Sequence, residues 1–408
     1  MALKSQISNS EVLIVGAGPA GSFAAEILAR NGANVTLFDG RVPNAPKPCG
    51  GGVTSKALKM YPQLLEAVGR QIDDLEIFAP SGKRLRLKLD EPFAIYSRSA
   101  FDSFLLQRAE KAGATIIKEK VTLVGEENDL WKLRSHATSG NANEYRGAFL
   151  IAADGANSAI AKRLSGALEK SEMEVAFGYR TPLPNNERDA PTVIAFLPGF
   201  AGYAWAFPRP DHVSFGIATA QDNFDHARLD DLLWRFMLGW YRQRTEPQAT
   251  IWQDLNNGAN SEILAQLNSV AERYAARIPG LAPETLDNRK TVGENWALLG
   301  DAAGFADPVT GEGIYYALRS AEIFADCFLN KKDYETAWRA DFGRELRRAS
   351  EMRRRFYGNF FGAAFTERMI QFASLHGGVR KTLRQLVAGD QGYTDLKQKL
   401  AKRAFLPF

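Results

Sequence analysis

Glu11-Val12-Leu13-Ile14-Val15-Gly16-Ala17-Gly18-Pro19-Ala20-Gly21 is the stretch on which the reading of this chain turns, and an apolar-patterned run predicts a helix directly after it. Strand, glycine turn and helix, in that order, are the context in which a G-x-G-x-x-G match carries meaning. Gly16 permits the tight turn, Gly18 lets a pyrophosphate approach the backbone, and Gly21 lets the helix pack on the strand. The helix N-terminus offers free N–H groups and positive dipole to phosphates. A second strand, Asn34-Val35-Thr36-Leu37-Phe38, ends at Asp39, about eighteen residues past Gly21, near the spacing of a ribose-binding acid. An ordinary βαβ turn would share the glycines. Strand, helix and acid together predict an adenine dinucleotide site. Which dinucleotide it is, and for what chemistry, the motif does not say.

Composition sets wide bounds around that site. The 408 residues leave room for two or three domains and a large core. Hydrophobic content of 45% and charged content of 24% are those of an ordinary globular protein. A net charge of +4 gives no general argument for nucleic acid. The early apolar run is a short strand interrupted by glycines, so no signal peptide is expected. Nowhere do eighteen apolar residues run together, so no transmembrane helix is expected either. The 2 cysteines, Cys49 and Cys327, lie far apart and form no metal-ligand spacing. A reducing cytosol is the expected compartment.

After the βαβ unit comes Arg41-Val42-Pro43-Asn44-Ala45-Pro46-Lys47-Pro48-Cys49-Gly50-Gly51-Gly52. Prolines keep this run extended, and glycines follow where the backbone turns or approaches something closely. It reads as a surface linker or, after a dinucleotide fold, as an active-site loop. Residues 72–95 alternate as strands around Pro80-Ser81-Gly82-Lys83. A helix follows, with Ser99 as its expected N-cap and Phe101, Leu105 and Ala109 on one face. Further strands end in Ala152-Ala153-Asp154-Gly155, a second strand-to-turn-to-helix junction.

Residues 172–220 read as an antiparallel sheet, and 229–285 as helical. In Tyr203-Ala204-Trp205-Ala206-Phe207, period two sends three rings to one face and two alanines to the other. On composition alone the rings would be core. The strand Trp296–Leu299 delivers Gly300-Asp301-Ala302-Ala303-Gly304-Phe305-Ala306-Asp307-Pro308-Val309-Thr310-Gly311-Glu312-Gly313, feeding a helix from about Ile314. Such a loop can again reach a ligand with backbone N–H groups. The stretch 335–408 is helical and basic, with Arg344, Arg347, Arg348, Arg353, Arg354 and Arg355 among phenylalanines. A solvated, salt-bridged face is the first reading. A basic helix resting on an anionic membrane surface is the sharper one.

These spaced fingerprints resemble the flavoproteins of the p-hydroxybenzoate hydroxylase fold, and within them the geranylgeranyl reductase family. Cys49-Gly50-Gly51-Gly52 matches that family's C-x-G-G loop. Tyr203-Ala204-Trp205-Ala206-Phe207-Pro208 with Gly216 matches its Y-x-W-x-F-P strand and following glycine, and 300–313 its G-D loop running into D-P-x-T-G-E-G. The matching signals run from residue 12 to about 320. Phe200 stands where the family has a proline, and Gly216-Ile217-Ala218 lacks the second glycine of its G-x-G. Both departures flank the substrate strand and bear on substrate identity.

The resemblance implies an α/β fold, α+β overall: a Rossmann-type FAD-binding domain interleaved with an antiparallel-sheet substrate domain, plus C-terminal helices. The FAD-binding segments are expected at 1–71, 96–168 and 286–332. The substrate domain is expected at 72–95 and 169–285, and the helical region at 333–408. The implied cofactor is FAD. Gly16, Gly18, Pro19, Ala20 and Gly21 would cradle its pyrophosphate, and Asp39, with Gly40 and Arg41, its adenosine ribose. Arg98 would lie near the pyrophosphate or adenosine, and Asp154 with Gly155 would serve the second fingerprint. Gly300 and Asp301 would meet the ribityl chain or pyrophosphate. Pro308, Gly311, Glu312, Gly313 and Ile314 would turn a helix N-terminus toward the pyrimidine edge of the flavin, where a reduced flavin is anionic. Cys49, Gly50 and Gly51 would complete the set.

The activity so implied is saturation of isolated C=C bonds in a prenyl chain, hydride coming from the flavin and a proton from the protein. Tyr203, Trp205 and Phe207 would wall the substrate tunnel and Cys49 would donate the proton. Without the resemblance, Cys49 reads as a small residue packed in a tight loop. NADPH or a ferredoxin-like carrier would supply electrons, and the partners expected are a hydrophobic prenyl substrate, no nucleic acid, and at most a peripheral contact at the inner face of a membrane. Two rivals stand beside this reading: an aromatic monooxygenase or halogenase on the same fold, and a flavoprotein passing electrons to quinone. None of the 4 histidines pairs with a nucleophile or a metal set, and Cys327 reads as core.

Overall fold

The computed structural model describes residues 7–42, 47, 49–135, 142–183, 190–219, 225–360 and 362–405. In chain order the elements run β1 (Ile7–Val15), α1 (Pro19–Arg30), β2 (Val35–Phe38), β3 (Gly52–Val53), α2 (Ser55–Met60), β4 (Gly69–Phe78) and β5 (Arg84–Tyr96). Next come α3 (Arg98–Lys111), β6 (Thr115–Ile117), β7 (Val121–Glu127), β8 (Leu130–Ser135), β9 (Glu144–Ala152) and α4 (Ala159–Ser165). The middle of the chain supplies β10 (Met173–Pro182), β11 (Val193–Phe196), β12 (Gly202–Pro208), β13 (His212–Thr219), α5 (His226–Thr245), α6 (Ser261–Val270) and β14 (Glu272–Pro279). It closes with α7 (Pro283–Asn288), β15 (Trp296–Leu298), α8 (Ile314–Asn330), α9 (Tyr334–Trp338), α10 (Arg344–Phe356), α11 (Phe365–Leu375), α12 (Gly377–Val387) and α13 (Leu396–Phe405).

These elements fall into two compact units, each made of three chain segments. The first holds 1–45, 99–172 and 278–350, and the second 46–98, 173–277 and 351–408. In the first unit, β6, β2, β1 and β9 are parallel neighbours. β15 extends this parallel set on the C-terminal half of β9, while β8 and β7 add antiparallel on its N-terminal half. Val12, Leu13, Ile14, Leu37, Leu150 and Ile151 are fully buried, as expected of strands covered on both faces.

Among the described residues of the second unit, the sheet order is β14-β10-β13-β12-β11-β4-β5-β3. Only β11–β4 is parallel among the pairings whose register is resolved. One face packs Ala204, Ala206, Val213, Phe215 and Ile217 with Leu233, Phe236, Met237 and Trp240 of α5. Each large apolar side chain so buried contributes about 1.5–3 kcal/mol.

Several expectations change here. β14 is a strand inside the stretch read as helical: Tyr274 turns into the protein while Glu272 and Arg273 remain exposed. Helix α3 starts at Arg98, one residue before the expected cap Ser99. Residues 46–71 group with the second unit, since β3 pairs with β5 (Gly52 opposite Ile95). The C-terminal stretch does not stand apart. Trp338 and Phe342 pack on Phe305 (ring centroids 4.6 and 5.0 Å) in the first unit, and residues from 351 belong to the second. The prolines at 43, 46 and 48, expected to hold the 41–52 loop extended, lie outside the described residues.

Candidate functional site

In the first unit the glycine turn, the Asp154 junction and the 300–313 loop meet. Gly16 takes φ +107°, and a Cβ there would lie 2.3 Å from the Ala153 carbonyl oxygen and 2.7 Å from Asp154 Cα. A Cβ on Gly21 would fall 1.9 Å from the Gly16 carbonyl oxygen, so α1 starts hard against its own turn. Gly300 (φ +55°) has room for a Cβ only at 3.1 Å from Ala20 Cβ. Three segments nearly three hundred residues apart thus close within van der Waals distance around the start of α1. Gly18 is the N-cap of α1, Pro19 its first residue, and no side chain caps it. The first-turn N–H groups remain available to an anion.

Asp39 ends β2 as expected, but its carboxylate is engaged. Arg41 Nε donates to Oδ1 at 2.6 Å and Nη2 to Oδ2 at 2.7 Å, while Nη1 reaches the buried Asp102 at 3.1 Å. A carboxylate has about four acceptor sites, so Asp39 keeps capacity for a hydroxyl. Gly40 crosses 3.0 Å, by its would-be Cβ, from Lys120 Cα. Asp154 is exposed, with surrounding protein raising its carboxyl through desolvation, an effect its open face limits. Gly155 follows at φ +88°, and Ser158 caps α4 by accepting the Ala161 N–H at 2.8 Å.

The 300–313 loop is wired from within. Asp307, missed as a site residue in the sequence, is buried and its Oδ1 accepts the Val309 N–H at 2.7 Å and the Thr310 N–H at 3.0 Å. Its own N–H donates to Glu312 O, and the Gly311 N–H returns to Asp307 O. This turn, with Pro308 buried in it and Gly311 at φ +69°, carries the chain to Gly313, the N-cap of α8, which begins at Ile314 and has no side-chain cap. A Cβ on Gly313 would stand 3.0 Å from Asp301 Oδ1. Arg289, also missed, is buried and donates to the carbonyls of Ala303 and Ala302.

The second unit builds a different constellation. Tyr203, Trp205 and Phe207 do share a face of β12, opposite the Ala204 and Ala206 that pack on α5. Their face is therefore not the α5 core. Trp205 lies over Gly216 of β13, where a Cβ would meet its ring at 2.0 Å. A Cβ on Gly50 would be 3.1 Å from Phe207 and 3.4 Å from Trp205 Nε1, so the Cys49 loop sits directly on these rings. Gly51 takes φ +73°, and the Cys49 Sγ accepts its N–H at 3.2 Å.

Beneath the loop lie residues that no sequence signal picked out. Arg209, two positions past Phe207, is 4% exposed and donates from Nη2 to the carbonyls of Cys49 (2.6 Å) and Gly50 (2.8 Å). Burial holds its guanidinium below its ordinary value. His212 lies 3.3 Å from Arg209 Nη1, and burial with that neighbouring cation lowers its imidazole to about 4. Tyr274 donates to Phe215 O at 2.6 Å and meets Ser214 Oγ at 2.9 Å, with burial pushing its phenol up to about 12. Among the described residues the Trp205 Nε1–H finds no acceptor at full hydrogen-bond geometry. Arg98, half-buried, ends the first of this unit's three chain segments.

A parallel βαβ core with two uncapped helix starts and a glycine turn closed by distant segments marks a dinucleotide-binding domain. Residues 9–324 match the FAD binding domain family, and FAD is the cofactor of this oxidoreductase. The chain belongs to the geranylgeranyl reductase family of these FAD-dependent enzymes. It is 31% identical over 334 residues to geranylgeranyl diphosphate reductase of Synechocystis sp., covering 77% of this chain and 74% of that one. It is 29% identical to digeranylgeranylglycerophospholipid reductase of Methanospirillum hungatei, with 85% of each covered. A geranylgeranyl bacteriochlorophyll reductase-like protein from Thermoplasma acidophilum shares the fold, at TM-score 0.70 and 21% identity over 97% of this chain and 100% of that one.

Proposed function

We propose that this protein saturates isolated C=C bonds of a prenyl chain, using FAD as the hydride source. The observation that supports it most is the Cys49-Gly50-Gly51 loop, which carries a thiol and lies on the Trp205 and Phe207 rings through Gly50, in a chain whose relatives are named for geranylgeranyl substrates. When bound, FAD supplies hydride to one alkene carbon. The chain's own residues do the rest. Gly16, Gly18, Pro19, Ala20 and Gly21 hold the pyrophosphate on the α1 N-terminus. Asp39, sharing its oxygens with Arg41, takes the ribose, Asp301 takes the ribityl chain or pyrophosphate, and Gly311, Glu312, Gly313 and Ile314 serve the pyrimidine edge of the flavin. Tyr203, Trp205 and Phe207 exclude water from the prenyl chain and face developing positive charge on it. Cys49 gives the proton from Sγ to the second alkene carbon.

The exposed residues Phe360, Phe372 and Leu375, with the exposed cations Arg354, Arg355, Arg380 and Lys381, suit contact with an anionic lipid surface from which such a substrate would come. The deciding experiment is anaerobic. Enzyme whose flavin has been reduced with dithionite is mixed with geranylgeranyl diphosphate or a geranylgeranyl phospholipid. Flavin reoxidation with a product heavier by two hydrogens per bond is expected. Reoxidation only by oxygen, with a small aromatic stimulating NADPH consumption, would replace this reading with a monooxygenase.

A further inference from the structure

A buried arginine ordinarily stands opposite a carboxylate, because removing a lone charge from water is costly. Arg209 has none. It is 4% exposed, and among the described residues it forms no ion pair and its Nε–H finds no acceptor. Its partners are carbonyls, Cys49 O at 2.6 Å and Gly50 O at 2.8 Å, and one ring nitrogen of His212 at 3.3 Å. The neighbouring carboxylate, Asp211, lies 2.8 Å from the His212 ring and is 63% exposed. His212 itself is held neutral at neutral pH by burial and by the arginine. The loop meets the guanidinium at a glycine: a Cβ at Gly51 would stand 3.0 Å from Nη2 and 2.1 Å from the Tyr96 carbonyl oxygen. The fork thus grips the backbone of the cysteine itself, whose Sγ accepts the Gly51 N–H at 3.2 Å.

We propose that Arg209 is a positioning residue for Cys49, holding the loop by its carbonyls and presenting the fixed positive charge that the sulfur needs once its proton has left. This rests on the reading of Cys49 as proton donor. In the balanced step the alkene gains hydride, supplied by reduced flavin, on one carbon and the Sγ proton on the other. The S–H bond breaks, its electron pair stays on sulfur as thiolate, and water later returns the proton. The missing carboxylate is then explained: the counter-charge of Arg209 forms during the reaction. A permanent acid there would neutralise the cation and disfavour the thiolate.

The test uses full-length, flavin-loaded enzyme and alkylation of Cys49 by iodoacetamide at pH 7, read by peptide mass spectrometry so that the buried Cys327 is scored separately. Alkylation runs through the thiolate, and a cation held at the loop favours that anion. Arg209→Met should therefore slow alkylation by about tenfold, while Arg209→Lys stays within about threefold of wild type and recovers part of the lost turnover. A purely structural clamp predicts the opposite sign: a loosened loop alkylates as fast or faster, and Lys fails as badly as Met. That result overturns the proposal. Should Arg209→Met lose its flavin, Arg209→Gln reads the same quantity with the same two outcomes, and the Lys variant reads loop loosening against retained charge. Cys49→Ala retaining full turnover would remove the donor reading while leaving the alkylation result standing, so the two failures are separable.

Discussion

Gly216 is the smallest residue with the largest consequence for the aromatic face. It faces Trp205 across the β12–β13 pair, and a Cβ there would sit 2.0 Å from Cζ2 and 2.4 Å from Cε2 of the indole. The ring cannot give by that amount without leaving its place over the Cys49 loop. Gly216→Ala should cost about 1–3 kcal/mol by overpacking and lower prenyl reduction at least tenfold, with flavin content retained. Urea unfolding and the absorbance of bound flavin check both halves, and a variant that reduces substrate normally rejects the placement of Trp205 as a substrate wall. Asp307 carries the matching prediction for the cofactor. Asp307→Ala frees the Val309 and Thr310 N–H groups that order the turn into α8. Flavin affinity should fall by about 1–3 kcal/mol, measured by titrating apoprotein with FAD, while Asp307→Asn, which keeps an acceptor, should fall less. Asp307 stood inside a quoted motif, yet sequence could not show that its role is to fold the loop: a buried acceptor for two backbone N–H groups is visible only in three dimensions.

At the level of elements, period-two alternation made β12 legible to the residue, rings one way and alanines the other, because strand geometry sends neighbours to opposite faces. Which face was core was not legible. Ala204 and Ala206 look too small to be chosen over three rings, but α5 approaches closely only where side chains are short, and Phe215, Phe236 and Trp240 fill the space from its flanks. β14 was hidden for a related reason. Ala275 and Ala276 favour helix locally, and pairing with β10 at the sheet edge overrides them, placing Tyr274 over Gly178, where a Cβ would be 2.6 Å from its ring. The β12–β13 turn gives the acid sensitivity. His212 is lowered to about 4 in the folded chain, below its ordinary 6.5, by desolvation first and Arg209 second. The unfolded chain therefore binds more protons between those values, so stability is complete above the unfolded value and drains away as pH falls through the window toward 4. The loss approaches roughly 3 kcal/mol at the bottom of the window. Urea midpoints at pH 7 and pH 5 should diverge in wild type and converge in His212→Gln. Equal slopes in the two proteins would assign the acid loss elsewhere.

For the molecule as a whole, each of the first unit's three segments contains a strand that runs toward a glycine and an acid, Gly16 with Asp39, Asp154 with Gly155 and Gly300 with Asp301, and these markers are what suggested a three-segment FAD-binding domain in the sequence. The C-terminal stretch carries no such marker, and its basic residues conceal opposite fates. In α10, Leu346, Ala349, Met352 and Phe356 are buried, Arg347 pairs with Asp287 at 3.0 Å, and Arg353 pairs with the buried Glu174 at 3.2 Å, so much of this helix is a salt-bridged face. The surface proposed for membrane contact lies further on. Among the described residues no helix is long and apolar enough to cross a bilayer, but Leu375 is 70% exposed and Phe372 46% exposed at the end of α11. Arg380 binds that end, donating to the carbonyls of Ala373 and Ser374 at 2.9 Å, so a cation stands beside the two apolar side chains. Insertion of these side chains into an acyl boundary contributes about 1.5–3 kcal/mol each, and each nearby cation about 1 kcal/mol at an anionic leaflet. Truncation is a poor probe, because Trp338 and Phe342 are core residues of the first unit. Substitution on the surface is the better one. Wild-type protein should float with phosphatidylserine-containing vesicles and less with neutral ones, and Phe372→Asp combined with Leu375→Asp should abolish flotation. The same variant should keep its turnover on detergent-dispersed substrate, because its changes lie on exposed side chains. Flotation unaffected by the double substitution, or absent in wild type, means that α11 faces water and that the prenyl chain reaches the enzyme by another route.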